Sequence, residues 1–345
     1  MARLFKVSAT PHLRDATNIP TIMYSVVVAL IPALIGAIYF FGLPALWITL
    51  LTVFSCVIAE GIIEKMSGKP LTIWDGSAIV TGILLAFNLS PGVSWWIPVV
   101  GGIFAIVVGK MTFGGLGYNP LNPALLGRVF LQQSWPVEMN ASWTLPRGIP
   151  AIDAETIATP LTILKENIAV LKSSNALSDN IDAVINASGR LGDLQVSYMD
   201  MFVGRIPGCL GETSVMLLLI GAAFLLYKRY IGWRIPFSFV GTVGLLTWIF
   251  GGYEGFFTGP WLFHILSGGL IIGAFFMATD MVTSPITKNG RFVFGIGCGL
   301  LTTIIRLIGG YPEGVSYAIL LMNLTVPLIN RYTQPKVFGE VKNRV

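Results

Sequence analysis

Ten stretches of the chain run apolar for most or all of a membrane's depth, separated by polar links. About 20 apolar residues, at about 1.5 Å each, cross the hydrocarbon core. On that ruler the first half holds runs at 22–41, 45–63, 77–89, 95–109 and a short one at 123–133. The second half holds 213–227, 235–251, 261–278, 292–308 and 315–329. The pattern predicts an all-α polytopic membrane protein of about ten transmembrane helices. The expected organisation has a cytoplasmic N-terminal segment (1–21), a first five-span membrane repeat (22–133) and an extracytoplasmic loop (134–212). A second five-span repeat (213–330) and a cytoplasmic tail (331–345) follow. The first run does not read as a cleavable signal, because it is long, lacks a small-residue cleavage site and is followed by further spans.

The halves look like one unit used twice. At an ungapped offset of 195 residues Gly102 meets Gly297, Gly114-Gly115 meets Gly309-Gly310, and 124–126 meets 319–321. Lys110 then lies one position from the counterpart of Arg306. Gly82 and the aliphatic residues after it resemble Gly269 and those after it. Five spans per unit is an odd number, so the second copy is expected to be inverted relative to the first.

Composition agrees with a lipid solvent: 54% of residues are hydrophobic and only 11% are charged, against about 25% charged in soluble domains. The net charge of +5 invites a nucleic-acid reading until the charges are placed. With the N-terminus inside, most Lys and Arg fall on cytoplasmic links, as the positive-inside rule requires, and most Asp and Glu fall on the other side. The basic excess is an orientation signal, and nucleic acid drops out as a partner. Trp47, Trp95, Trp96, Trp233 and Trp261 lie near run ends, as an interfacial belt demands. Three Cys and two His without a close pair offer no disulfide framework and no metal-ligand spacing. No metal and no catalytic set are expected. His264, alone in its run, reads as a packed residue before it reads as a ligand.

Two segments break the apolar pattern where it should be continuous. Residues 110–123 carry Gly and Pro breaks together with Asn119 and Asn122, and feed a run too short to cross alone. Residues 309–314 match them by the offset and lead into the run that carries Asn323. Paired, interrupted segments in repeat-built membrane proteins point to a midplane site; tight helix packing joined by a loop suits the same composition. Charges in or near runs usually mark function or a paired anchor. They are Glu60, Asp75, Arg128, Asp280 and Arg306. Most sit near run ends, where snorkelling to water is the cheaper account, and Arg128 is the least easily explained that way. Lys110, Asn119, Asn122, Arg128, Asp280, Arg306 and Asn323 are therefore candidates for an ion or second-cofactor path.

The long polar stretch contains Thr159 followed by Pro160. Thr as N-cap with Pro at the first helical position is a helix start, and that alone accounts for the pair. The first turn of a helix also presents free N–H groups and the positive end of the dipole to a phosphate. A phosphodiester carried on Thr159 would be favoured there.

Four segments in order resemble one family: 110–130 (KMTFGGLGYNPLNPALLGRVF), 211–214 (GETS), 279–287 (TDMVTSPIT) and 311–323 (YPEGVSYAILLMN). They are similar to the D subunit of the Rnf complex and to its relative, the B subunit of the sodium-pumping NADH:quinone reductase. The length favours the Rnf protein. The resemblance implies ten spans in two inverted repeats, a fold like that of urea channels. It implies FMN joined through its phosphate to a threonine in a motif like D-x-x-[ST]-G-A-T, attached by a dedicated flavin transferase. Asp153, Thr156, Ala158 and Thr159 match that motif, while Ile157 stands where glycine is usual. It leaves room for a second, non-covalent flavin such as riboflavin, whose residues the motifs do not place.

The resulting expectation is an electron-transfer subunit of an ion-translocating ferredoxin:NAD+ oxidoreductase in a bacterial or archaeal cytoplasmic membrane, working beside the A, B, C, E and G subunits of the Rnf complex. Electron flow would be coupled to Na+ or H+ movement. The chain has no GxGxxG after a strand and no cysteine cluster, so it is not expected to complete the reaction alone. The B subunit of the quinone reductase, or a solute channel on the same fold, are the alternatives, since fold does not fix function.

Overall fold

A computed structural model describes residues 17–68, 70–147, 159–165, 198–212, 214–252, 255–311 and 313–334. Among these, all regular structure is helical. The first half holds α1 (Ile19–Phe41), α2 (Leu43–Met66), α3 (Ser77–Phe87), α4 (Trp96–Val107), α5 (Pro123–Ser134) and α6 (Pro136–Ala141). A helix α7, described over 160–165, and α8 (Tyr198–Val203) belong to the long central stretch. The second half holds α9 (Val215–Tyr227), α10 (Arg234–Phe250), α11 (Trp261–Leu266), α12 (Leu270–Ile272), α13 (Lys288–Leu307) and α14 (Val315–Tyr332).

Among the described residues, four helical segments are long and apolar enough to cross a membrane: α1, α2, α4 with its extension to Phe113, and α13. Each coincides with a predicted run. The remaining runs give shorter or polar-bearing helices, such as the 11-residue α3 and the 12-residue α5. Large apolar side chains on α1 and α2 face outward, among them Ile35, Phe54, Ile58 and Ile62, which suits contact with lipid. Pro32 inside α1 and Pro327 inside α14 are breaks that membrane helices tolerate when neighbours satisfy the freed carbonyls.

The run 261–278, expected as one continuous span, is interrupted. Gly268 and Gly269 adopt left-handed φ values of 70° and 65°, which only glycine takes at little cost. They end α11 and start α12, which continues as one π-turn over Gly273–Met277. Hydrophobicity is continuous across the break, so periodicity alone could not reveal it.

Each half packs in the same order. In the first, α2 lies against α3 and α4, and α4 against α5; in the second, α10 lies against α11 and α13, and α13 against α14. Across the halves α1 packs with α9 and α5 with α14. Gly221 of α9 sits directly on the backbone of Ala29 in α1, a close approach of the kind that drives membrane helix association without a hydrophobic term. One apolar core, including Leu30, Leu85, Phe87, Leu125, Phe239 and Phe294, runs through both halves.

Candidate functional site

Buried polar groups gather at two places, both where helices are interrupted. The first lies at the end of α4. Lys110 is 2% exposed; its Nζ lies 2.6 Å from Glu60 Oε1 on α2 and donates to Ser77 Oγ at 2.6 Å. Ser77 in turn donates through its backbone N–H and hydroxyl to Asp75 Oδ1 at 2.7 and 2.5 Å. These groups hold the start of α3 against the end of α4. A buried ammonium in lipid is tolerable only when paired and hydrogen-bonded, and here it is both.

A cavity opens beside this pair, with about 830 Å³ of non-atom space including its mouth. Lys110, Asn119, Asn122 and Asp280 all line it, with Ser77, Thr81 and mostly apolar side chains completing the wall. Four of the seven path candidates thus meet at one place. Asn119 donates to the Leu121 carbonyl at 3.0 Å. Asn122 caps α5, its Oδ1 accepting from Ala124 N at 3.0 Å and Leu125 N at 3.3 Å. Its Nδ2 donates to the Met277 carbonyl at 3.2 Å, across to the other half. Asn323 joins it: with the amide turned to satisfy its neighbours, Asn323 donates to the Thr283 and Ile319 carbonyls and accepts from Asn122 N, each at 3.2 Å. The Asp280 carboxylate accepts from Thr283 Oγ1 at 3.0 Å and Val282 N at 3.4 Å.

The second place is built around two arginines. Arg128 of α5 pairs with Glu313 and donates to Asn88 Oδ1 at 2.5 Å. Arg306 of α13 donates to four backbone carbonyls: Glu313 at 3.0 Å, His264 at 2.5 Å, Ser267 at 3.1 Å and Gly268 at 3.0 Å. A helix end leaves its last carbonyls without intrahelical partners, and Arg306 supplies donors to those of the broken α11. Lys110 and Arg306, near-counterparts by the repeat offset, do not meet; each serves its own half. Glu212 and Glu313, which the charge pattern assigns to the extracytoplasmic side, are turned inward among these arginines. The signal for them is position: Glu313 lies inside the 309–314 break, and Glu212 precedes an apolar run directly. His264 is buried and packed as expected, contributing its carbonyl, while neither ring nitrogen has a partner among the described residues.

Thr159 precedes α7 as its N-cap. Its carbonyl accepts from Ile163 N at 3.1 Å, and its Oγ1 lies 2.8 Å from Thr162 Oγ1 and accepts from Thr162 N at 3.4 Å. The residue is 4% exposed. Leu161 and Leu164 pack with Met201, Ile206 and Phe263. Lys165 of α7 donates through Nζ to the carbonyls of Gly309 and of Tyr311, the latter at 3.1 Å. Partial burial holds its ammonium below the usual lysine pKa. The threonine-bearing turn is therefore fastened to the interrupted segment of the second half. Asp153, Thr156, Ile157 and Ala158 lie outside the described residues.

These features define a helical membrane protein whose two halves each carry an interrupted segment closed by a buried cation. A family profile described as NQR2, RnfD, RnfE family matches residues 6–339, and the chain belongs to that family. It is 45% identical over 336 residues, 97% of this chain and 96% of the relative, to the D subunit of the proton-translocating ferredoxin:NAD(+) oxidoreductase complex of Clostridium ljungdahlii. Identity is 44% over 338 residues, again 97% and 96%, to the D subunit of the Na(+)-translocating ferredoxin:NAD(+) oxidoreductase complex of Acetobacterium woodii. It is 39% over 336 residues, 94% and 93%, to the D subunit of the ion-translocating oxidoreductase complex of Stutzerimonas stutzeri. These relatives are subunits of ion-translocating oxidoreductase complexes.

Proposed function

We propose that this chain is the D subunit of an ion-translocating ferredoxin:NAD+ oxidoreductase, carrying FMN as a phosphodiester on Thr159. Near end-to-end similarity to proteins of that name is the observation that carries the reading. The Asp153, Thr156, Ala158, Thr159 pattern supports the attachment point. The local donor set also fits a phosphate, because the Thr162 hydroxyl and N–H already face Thr159 Oγ1. That hydroxyl is buried, so a flavin transferase must act before α7 packs or must open it. When bound, the flavin supplies one-electron acceptance and donation between neighbouring redox subunits. The chain's own part is to hold it: Lys165 anchors the turn to Gly309 and Tyr311, and the apolar face of α7 keeps water from its underside.

In this reading a second, non-covalent flavin such as riboflavin binds at the cavity beside Lys110. Its walls are mainly apolar with a few polar groups on one side, the usual make-up of a cofactor pocket. The matching packing order of the halves supports ten spans in two inverted five-helix repeats, a urea-channel-like arrangement. In this reading the protein lies in the cytoplasmic membrane with both termini inside and 134–212 outside. The A, B, C, E and G subunits of the Rnf complex are its partners.

The test is yellow in-gel fluorescence after denaturation, with a mass increase equal to FMN less water, in chain co-expressed with a flavin transferase. Thr159→Ala abolishes both. Acid precipitation leaves the covalent flavin in the pellet and releases the second one into solution. A wild-type chain without covalent flavin under these conditions refutes the reading. A reporter active only in the periplasm, fused near Ser174, checks the orientation.

A further inference from the structure

Residues 210–212 form a single 3₁₀ turn wedged among α1, α3 and α12. The Leu210 N–H donates to the Leu89 carbonyl at 3.0 Å, just past the end of α3. Gly211 presses on Phe87 and Ile272 so closely that a Cβ would lie 2.6 Å from one and 2.8 Å from the other. This wedge carries Glu212 inward, where it is 8% exposed. Its Oε1 is buried with no hydrogen-bond partner among the described residues and faces Gly269, the residue that starts α12. Glu212 and Gly269 line a small cavity, about the size of one water, walled otherwise by Gly211 and aliphatic side chains such as Val215, Leu218 and Leu266.

The charges around Glu212 are engaged elsewhere. Arg128 on α5 is paired with Glu313 and Asn88, and Arg306 on α13 is directed at four carbonyls. Both fields reach Glu212, yet neither arginine forms an ion pair with it among the described residues. The Cys209 thiol and the Glu313 carboxylate each place an atom within 4.8 Å of it, and His264 on α11 completes the titratable groups packed around the Arg306 side chain. An ionised carboxylate with one bare oxygen away from water is costly. A proton on that oxygen removes the charge and needs no ligand shell. Hard metal cations need several oxygens, whereas the possible ligand groups gathered here are two carboxylates and a thiol, with two arginines alongside.

We propose that Glu212 is a proton-binding site beside the α11–α12 break, taking up H+ to become the neutral acid and releasing it to return to the carboxylate during ion translocation. Only an O–H bond forms and breaks, and no electron moves at this residue. The proposal rests on the reading of the chain as part of an ion-translocating complex.

The test uses the whole purified complex. Infrared difference spectra between acid and alkaline buffer show a protonated-carboxyl band that shifts on labelling with isotopic glutamate. Glu212→Gln removes the band, and Glu212→Asp moves it should the glutamine variant fail to assemble. In proteoliposomes the Glu212→Gln complex keeps its covalent flavin fluorescence and loses redox-driven proton uptake. No glutamate-sensitive band in wild type, an unchanged band in the variants, or wild-type proton uptake by Glu212→Gln overturns the proposal. So does a band that Na+ abolishes at fixed pH, which would make this a Na+ site. Absence of covalent flavin from the wild-type complex would instead strike the functional reading, while the infrared band still decides Glu212.

Discussion

Arg128 and Glu313, 185 residues apart in the chain, form an ion pair between α5 of the first half and the loop that opens α14 of the second. Both side chains are largely buried, at 7% and 12% exposure. Removing one partner leaves the other charged and without its counter-ion, which costs about 3 kcal/mol or more in buried pairs. Arg128→Ala and Glu313→Ala should therefore each lower the thermal unfolding midpoint of the detergent-purified protein strongly. The double variant should recover part of the loss, giving a coupling energy of about 1–3 kcal/mol in a double-mutant cycle. Additive losses would show that the pair does not hold the halves together.

Lys110 and Glu60 make a pair of a different kind, inside one half and drier still, at 2% and 1% exposure. Lys110→Met alone strands Glu60 and should cost about 3 kcal/mol. Lys110→Met with Glu60→Leu removes both desolvation penalties and should restore the unfolding midpoint to within about 1 kcal/mol of wild type. If Lys110 lines a flavin cavity as proposed, the double variant will be stable yet release less non-covalent flavin on acid precipitation. Stability and occupancy are then separable readouts of one residue.

Much of this was legible in the residues. Long uncharged or nearly uncharged runs mark α1, α2, α4 and α13 because a membrane helix needs little besides length and apolarity. The two broken segments were visible because Gly, Pro and Asn are conspicuous in such surroundings, and Asn122 and Asn323 do meet. The break at Gly268–Gly269 was not, since two glycines inside an aliphatic run are ordinary in membrane helices. Nor was the inward turn of Glu212 and Glu313, because the charge pattern sorts residues by side and carries no information on depth. Pairings such as Arg128 with Glu313 depend on how the halves dock, and no local period records that. At Thr159, helix capping explains the local chemistry, while the flavin expectation came only from the motif.

The Gly268–Gly269 break makes its own prediction. Gly269 is held at a φ of 65°, and a Cβ there would lie 3.0 Å from Glu212 Oε1. Left-handed backbone costs a non-glycine residue about 1–2 kcal/mol, so Gly269→Ala should lower the unfolding midpoint by at least that equivalent. Gly310→Ala is the control, because nothing lies within 4 Å of its Cβ position. Equal effects at both glycines would show that the break tolerates a side chain.

Lys165 tests whether the threonine-bearing turn and the second interrupted segment act as one body. Its ammonium reaches the Gly309 and Tyr311 carbonyls, groups left over by the end of α13 and the loop after it. Two charge-assisted bonds from a partly exposed lysine, discounted for solvent screening, contribute about 1 kcal/mol together. Lys165→Met keeps the stem of the side chain and removes the donors. Amide exchange across 159–165 should then accelerate roughly fivefold, as local opening becomes easier by that amount. Exchange in α13 and α14 should stay unchanged, because Arg306 still holds the Glu313 carbonyl independently. Acceleration spreading into 315–332 would mean that α7 supports the second half rather than resting on it, and unchanged exchange at 159–165 would leave the apolar contacts of Leu161 and Leu164 as the only anchor that matters.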